Sequence, residues 1–165
     1  TGQITTTATG TSVRDPNTIF AFPFPVELDE SFDAIAVEVT IAAAAGSLCR
    51  LGIYNNGGGR DPIPGSLLLD AGTVLIDSIA VLPIVINVIL PRGLYWLAFV
   101  SNASATYRRV GDSIGTILGF PTTIGAGSVI STSYSDAFVF AALPNPFPAT
   151  ATITGFLPHV FIKKA

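Results

Sequence analysis

Residues 32–41, FDAIAVEVTI, decide the class of fold. Two sets of side chains alternate along them: Asp33, Ile35, Val37, Val39 and Ile41 in one set, and Phe32, Ala34, Ala36 and Glu38 in the other. Successive side chains of a β-strand point to opposite faces, so the branched apolar residues would share one face. The stretch therefore predicts a half-buried strand.

Strand patterns follow this stretch along the chain, whereas helical spacing is nearly absent, because prolines and glycines interrupt most long windows. We predict strands at residues 48–53, 67–69, 73–76, 81–90, 93–100, 106–110, 116–120, 128–134, 138–141, 150–154 and 159–162. Turn signals separate them at intervals of about 8–12 residues, as in sandwiches and barrels. The expected fold is all-β: an antiparallel β-sandwich, jelly-roll-like, with about eight or more strands.

Two further expectations concern organisation. Only Pro91 and Arg92 separate the strands at 81–90 and 93–100, so these two should form an antiparallel hairpin. Residues 1–10 lack apolar periodicity, so residues 1–12 are expected to be an extended lead-in or linker from an upstream region, or an arm laid on a neighbour. Residues 13–165 are then a single sandwich domain.

Composition narrows the classes of function. The 165 residues are 49% hydrophobic and only 12% charged, with a net charge of −3 and no basic cluster. Nucleic-acid binding needs concentrated Lys and Arg, and a membrane helix needs about 18 uncharged apolar residues in a row, so neither partner is expected. A chain with so few charges is expected to hide apolar surface against copies of itself, which predicts a homo-oligomer.

Residues for catalysis are scarce. His159 is the only histidine and Cys49 the only cysteine, so neither a zinc site nor a nucleophile–base pair can be assembled from the usual parts. We therefore expect no enzyme, a structural role for His159, and a buried Cys49. Glu27, Asp29, Glu30 and Asp33 are interpreted as an exposed acidic turn.

A structural Ca²⁺ is left open as the one candidate cofactor. The oxygens of Asn55, Asn56, Asp61 and Asp70 could serve as ligands, although their spacing matches no defined calcium loop.

Sugar binding would need an exposed aromatic platform beside amides and acids. Tyr54, Tyr107 and Tyr134 are eligible, because each is predicted at a strand end next to a polar loop. Trp96 lies within LYWLAF, where both faces are apolar, which indicates a central strand with Trp96 in the core.

The loop at residues 55–65, NNGGGRDPIPG, joins two strands and is rich in turn residues. Its Pro64–Gly65 end is interpreted as a turn that leads into the next strand. Its tip, residues 55–61, is kept as a candidate surface contact. The candidate glycan- or surface-binding residues are Tyr54, Asn55, Asn56, Arg60, Asp61, Tyr107 and Arg108.

Three pieces of the chain, at residues 50–54, 64–72 and 90–98, resemble a jelly-roll module of phage virion proteins. In that module R-x-G-I-Y runs into a Gly/Asn-rich loop, then P-G-x-L-L-x-D-A-G, a long strand and L-P-x-G-x-Y-W-L-A. The resemblance implies a tail-fibre, tailspike, receptor-binding or capsid-decoration protein in the virion, a homotrimer contacting other virion proteins and host-surface polysaccharide. The alternative is a carbohydrate-binding module of a secreted or cell-surface protein.

Overall fold

The computed structural model describes residues 10–58, 62–109, 133–154 and 158–165. These residues contain eleven strands and no helix. The strands are β1 (Gly10–Arg14), β2 (Thr18–Val26), β3 (Glu30–Ile41), β4 (Leu48–Asn56), β5 (Pro64–Leu75), β6 (Val81–Leu90), β7 (Gly93–Ser101), β8 (Ala105–Arg109), β9 (Ser133–Ala137), β10 (Thr152–Thr154) and β11 (Val160–Lys164).

Two antiparallel sheets form a β-sandwich, which confirms the predicted class. One sheet runs β1-β8-β3-β6, with β11 also pairing with β3, and the other runs β10-β9-β2-β7-β4-β5. The first eight strands form four nested antiparallel pairs, β1 with β8, β2 with β7, β3 with β6 and β4 with β5. The β4–β5 loop is thus the tip of one long hairpin rolled into two layers.

The predicted hairpin of β6 with β7 is wrong. β6 pairs with β3, whereas β7 lies between β2 and β4 in the opposite sheet. The short link through Pro91 and Arg92 therefore crosses from one sheet to the other. The two strands also differ in burial, since β7 is buried on both faces and β6 on one. The placement of Trp96 in a central strand is confirmed.

Two predicted strand boundaries are also wrong. The two short strands expected on either side of residues 70–72 are one strand, β5, in which Gly72 has a φ of 90° and the register with β4 shifts. The turn signal thus marks a β-bulge. Residues 138–141 are not a strand. The predicted strand at 116–120 and the residues 128–132 of another lie outside the described residues.

Strand β2 has no predicted counterpart, because its Pro23 and Pro25 are unusual inside a sheet. Among the described residues β9 pairs with Thr18 to Ala21, so Pro23 and Pro25 lie beyond this pairing and lose no hydrogen bond to it. At the N-terminus, β1 begins at Gly10, so the sandwich starts within the stretch expected to be a lead-in.

The main core lies between the sheets. It includes Ile35, Val37 and Val39 of β3, as the alternating pattern predicts, together with Cys49 and Phe99. Phe32 also points inward, although its parity predicts the opposite, because the register between β3 and β6 shifts between Phe32 and Ala34. Burial raises the pKa of the Cys49 thiol to about 12, so this thiol is an inert part of the core.

Candidate functional site

Tyr54 and Tyr107, the two tyrosines predicted to bind sugars, are both 0% exposed. Tyr107 packs in the main core with its ring 4.9 Å from that of Phe99. Tyr54 lies on the outer face of the other sheet, where its ring stands edge-on to Phe147 at 5.2 Å. Neither ring is accessible to a sugar, so the prediction is wrong for both residues.

Tyr54 is buried because a later segment, residues 138–151, covers the outer face of the six-stranded sheet. We call this segment the clasp. Its Leu143 and Phe147 pack in a second apolar cluster with Tyr54 and Trp96. The Tyr54 hydroxyl donates a hydrogen bond of 2.7 Å to the Pro144 carbonyl, and burial raises the pKa of Tyr54. The phenol is thus a neutral donor that holds the clasp.

Further hydrogen bonds fasten the clasp along its length. Asn17 accepts from the amides of Phe138 and Phe140, through its carbonyl at 2.8 Å and its side chain at 2.9 Å. The Leu67 amide donates to the side-chain oxygen of Asn145 at 3.0 Å, and the Phe147 amide donates to the Gly65 carbonyl at 2.9 Å.

Asp70 joins the clasp to the bulge of β5. One of its oxygens accepts from the Gly72 amide at 3.0 Å, and the other accepts from the Leu143 amide at 3.1 Å. The second oxygen also pairs with Arg50 at 2.5 Å. These contacts occupy the carboxylate with protein donors, which makes Asp70 a structural residue and removes it from the set of candidate calcium ligands.

Two of the candidate surface residues at the hairpin tip make hydrogen bonds within the fold. Asn55 and Asn56 are half-buried; Asn55 donates to the Ser66 hydroxyl at 3.0 Å, and Asn56 accepts from the Trp96 indole at 3.1 Å. Both amides therefore brace the start of the loop. Arg60 and Asp61 lie outside the described residues.

Arg108 of β8 lies on the outer face of the five-stranded sheet, whereas the hairpin tip belongs to the six-stranded sheet. Its guanidinium makes two hydrogen bonds to Glu38, at 3.1 and 2.7 Å. This pairing lowers the pKa of Glu38 and raises that of Arg108. The structure therefore does not bring the predicted site residues together, because Arg108 and the hairpin tip belong to different sheets.

His159 lies beside this ion pair. Its ring contacts that of Phe161, with 4.0 Å between centroids and a tilt of 39° between the rings. Burial lowers the pKa of His159, an effect that the nearby Glu38 carboxylate opposes. A mostly neutral imidazole packed on an aromatic ring agrees with the structural role predicted for it.

Three of the four acidic side chains between positions 27 and 33 have separate partners. Asp29 accepts from the Arg92 amide at 2.8 Å, Asp33 pairs with Lys163 at 2.6 Å, and Glu30 pairs with Lys164. In the described ranges, no three His, Cys, Asp or Glu side chains lie close enough to hold a metal ion.

The most unusual surface is one that the sequence pattern did not single out. Val81, Val85 and Ile89 of β6 are 57%, 86% and 68% exposed. Together with Pro83 of β6 and the half-buried Ala34 opposite Val85 on β3, they form what we call the aliphatic face, on which Asn87 is the one exposed polar residue of β6. Ala36, opposite Pro83, is 7% exposed. The signal was available in VLPIVINVIL, because this strand has apolar residues of both parities and no charge.

Exposed large apolar side chains elsewhere in the described residues are also aliphatic. They are Val13, Leu28, Ile41, Ile63, Leu68, Leu75, Ile79 and Val139. The aromatic rings in the same part of the chain are buried or half-buried. The described surface therefore offers aliphatic contact area and no exposed ring on which a sugar could stack.

Comparison with protein-family models and with curated proteins found no match for this chain. No helix in the described ranges is long and apolar enough to cross a membrane.

Proposed function

We propose that this chain is a non-enzymatic structural protein of a phage virion, a homotrimeric fibre, spike or capsid-decoration domain. The observation that carries the proposal is the aliphatic face, three of whose β6 side chains are more than half exposed. An exposed apolar face of this kind is typical of a surface that assembles with protein. Outside an assembly it would be an aggregation hazard.

We infer a jelly-roll topology. The order of the first eight strands, β1-β8-β3-β6 in one sheet and β2-β7-β4-β5 in the other, supports it, since a long hairpin rolled into two sheets produces this order. The fold alone says nothing of the role, because such sandwiches serve many functions.

The residues that carry the resemblance to phage modules have scaffold roles here, which supports the structural proposal. Tyr54 and Asp70 hold the clasp, and Gly52 leaves the space that Leu143 fills. Trp96 packs in the cluster beneath the clasp. A module that keeps these residues keeps its covered sheet, and its specificity must come from its loops.

The alternative, a carbohydrate-binding module, has less support. Stacking on a sugar needs an accessible ring, and Tyr54 and Tyr107 are buried. We place any contact with host polysaccharide at the hairpin tip, where Gly57 and Gly58 are exposed at the end of the rolled hairpin.

Locating the protein in a particle tests the proposal. Antibodies raised against the folded domain should label the tail or the capsid of the phage that encodes it in immunoelectron microscopy. Labelled protein that sediments away from intact particles, together with binding of the monomeric chain to polysaccharides on a glycan array, would favour the carbohydrate-binding module.

A further inference from the structure

The peptide bond between Asn56 and Gly57, at the start of the hairpin tip, carries a reactivity that the proposed function does not use. It belongs to the only Asn-Gly pair in the 165 residues. In such a pair the glycine nitrogen can attack the side-chain carbonyl carbon of the asparagine, because glycine has no β-carbon to obstruct the approach. A C–N bond forms, the N–H proton ends on the departing ammonia, and a succinimide ring results. Water then opens this ring to aspartate or isoaspartate.

We propose that Asn56 is a site of spontaneous deamidation, which the folded hairpin tip holds closed and which reacts when the tip opens. The co-reactant is water, and the site is independent of the function proposed above. The fold restrains the nucleophile and the electrophile separately, and it leaves the backbone of the tip exposed.

The nucleophile is the Gly57 nitrogen, and the fold engages its proton. The Gly57 amide donates a hydrogen bond of 2.7 Å to the Ile63 carbonyl on the returning arm of the tip. The two arms also touch, since a β-carbon built at Gly65 would lie 2.5 Å from the Gly57 α-carbon and 2.8 Å from its nitrogen. Attack requires that this nitrogen give up its proton and swing toward the Asn56 side chain. The closed tip therefore opposes both steps.

The electrophile is the side-chain carbonyl carbon of Asn56, which is the last residue of β4 and pairs with Pro64. In an extended strand the side chain stands off the backbone while the next nitrogen continues along it, whereas ring closure needs both side by side. The Trp96 indole N–H fixes the side chain further by donating to the Asn56 oxygen at 3.1 Å. Trp96 is buried and lies edge-on to Tyr134, with 5.5 Å between ring centroids. This packed ring therefore keeps the amide in an unreactive position.

The described part of the tip has an exposed backbone, so it can open while the sandwich stays folded. Gly57 and Gly58 are exposed, and a β-carbon built at Gly58 would meet nothing within 4 Å among the described residues. Pro64, opposite Asn56, has no N–H to donate to β4. Segments with exposed backbone and few packed side chains open at a small part of the free energy of global unfolding. Deamidation of the folded protein should therefore follow local opening of the tip.

Deamidation would change both the charge and the shape of the tip. Either product replaces the neutral amide of Asn56 by a carboxylate next to the buried Trp96 indole. Isoaspartate also routes the main chain through the former side chain, which adds a methylene to the backbone and moves Gly57 relative to Ile63. A surface contact made by the tip would therefore weaken as the protein ages.

Peptide mapping by mass spectrometry, with isoaspartate quantified, tests the proposal on wild-type protein kept folded, or unfolded in guanidinium chloride, at the same mildly alkaline pH. The folded chain should convert Asn56 roughly tenfold to a hundredfold more slowly than the unfolded chain, the factor that two hydrogen bonds of ordinary strength supply. Asn55, which is followed by an asparagine, should react far more slowly than Asn56 in the unfolded chain. Asn56→Gln should abolish the reaction at this peptide bond.

Three variants separate local opening from global unfolding. Trp96→Phe keeps a ring and removes the donor, so it should raise the rate in folded protein toward that of the unfolded chain. Gly65→Ala opens the tip from its other arm, because the new β-carbon has no space beside Gly57, and it should also raise the rate. Val39→Ala is the matched control, since Val39 is buried in the main core on β3, and its rate should equal that of wild type. Far-UV circular dichroism checks that each variant is folded.

Three outcomes overturn the proposal. Equal rates in folded and unfolded wild-type protein would show that the fold does not restrain the site. Equal acceleration by Val39→Ala and Trp96→Phe would mean that the reaction follows global unfolding. Wild-type rates in both folded Trp96→Phe and folded Gly65→Ala would show that neither contact holds the site closed. None of these outcomes bears on the location of the protein in a particle, which tests the proposed function.

Discussion

Gly52 shows at the scale of one residue why the matched motif needs a glycine. A β-carbon built there would lie 2.2 Å from a methyl carbon of Leu143 and 2.6 Å from the Leu69 carbonyl oxygen. The first neighbour is a side chain that could move, but the second is backbone of the adjacent strand. The glycine is therefore required because neighbouring atoms approach its backbone closely, and not by a positive φ, which Gly52 does not have.

Gly52→Ala should lower the free energy of unfolding by about 1–3 kcal/mol, the usual cost of overpacking a filled site. Urea denaturation measures it. Gly93→Ala is the control, because its β-carbon would meet Tyr95 at 3.5 Å and the Pro91 carbonyl oxygen at 3.8 Å, both ordinary contacts. Equal stability of the two variants would show that the clasp does not pack closely against β4.

His159 should make the stability depend on pH. Burial lowers its pKa in the folded state below the usual value of about 6.5. The folded state therefore binds this proton less readily than the unfolded state, so stability is full above about pH 6.5 and falls as the pH drops through the lowered value. As His159 is the only histidine, the difference in unfolding free energy between wild type and His159→Gln should change between pH 7 and 5. A constant difference would mean that the imidazole titrates normally.

At the scale of elements, the sequence predicts most strands of the sandwich and misjudges how some are connected. Alternation identified β3, the run of β-branched apolar residues identified β6, and the two apolar faces of β7 placed it centrally. The link through Pro91 and Arg92 was misread because the same turn residues serve a hairpin within a sheet and a crossing between sheets. The local sequence predicts that the chain turns, but only long-range strand pairing determines which sheet the next strand joins.

The candidate site was harder to predict, because its contacts are made by residues far apart in the sequence. Tyr54 is next to a polar loop in sequence, but the carbonyl that its hydroxyl meets belongs to Pro144, ninety positions later. The clasp itself contains no regular strand over residues 138–141, so periodicity could not reveal that it covers a sheet.

The clasp should depend on Phe147, its most deeply packed ring beside Leu143. Phe147→Ala should cost about 3–5 kcal/mol of stability, as is usual for a buried phenylalanine, and should expose residues 138–151 to limited proteolysis. Val139→Ala, in the same segment but exposed, should leave both unchanged. If Phe147→Ala matches wild type in both measurements, the clasp does not stabilise the sheet beneath it.

At the scale of the whole molecule, the clasp covers the outer face of the six-stranded sheet, whereas in the described part of the other sheet Val81, Val85 and Ile89 are more than half exposed. Few charges and many aliphatic residues suggested self-association, and the structure assigns the exposed aliphatic side chains of β6 to a single face. These exposed side chains are the basis of the proposed assembly with copies of the chain, and the hairpin tip belongs to the other sheet.

The mass of the wild-type chain in solution tests this account most directly. Light scattering across a dilution series should give three times the 17.1 kDa of one chain, with dissociation only at the lowest concentrations. A single-chain mass at every concentration, from protein that remains folded and soluble, would contradict it.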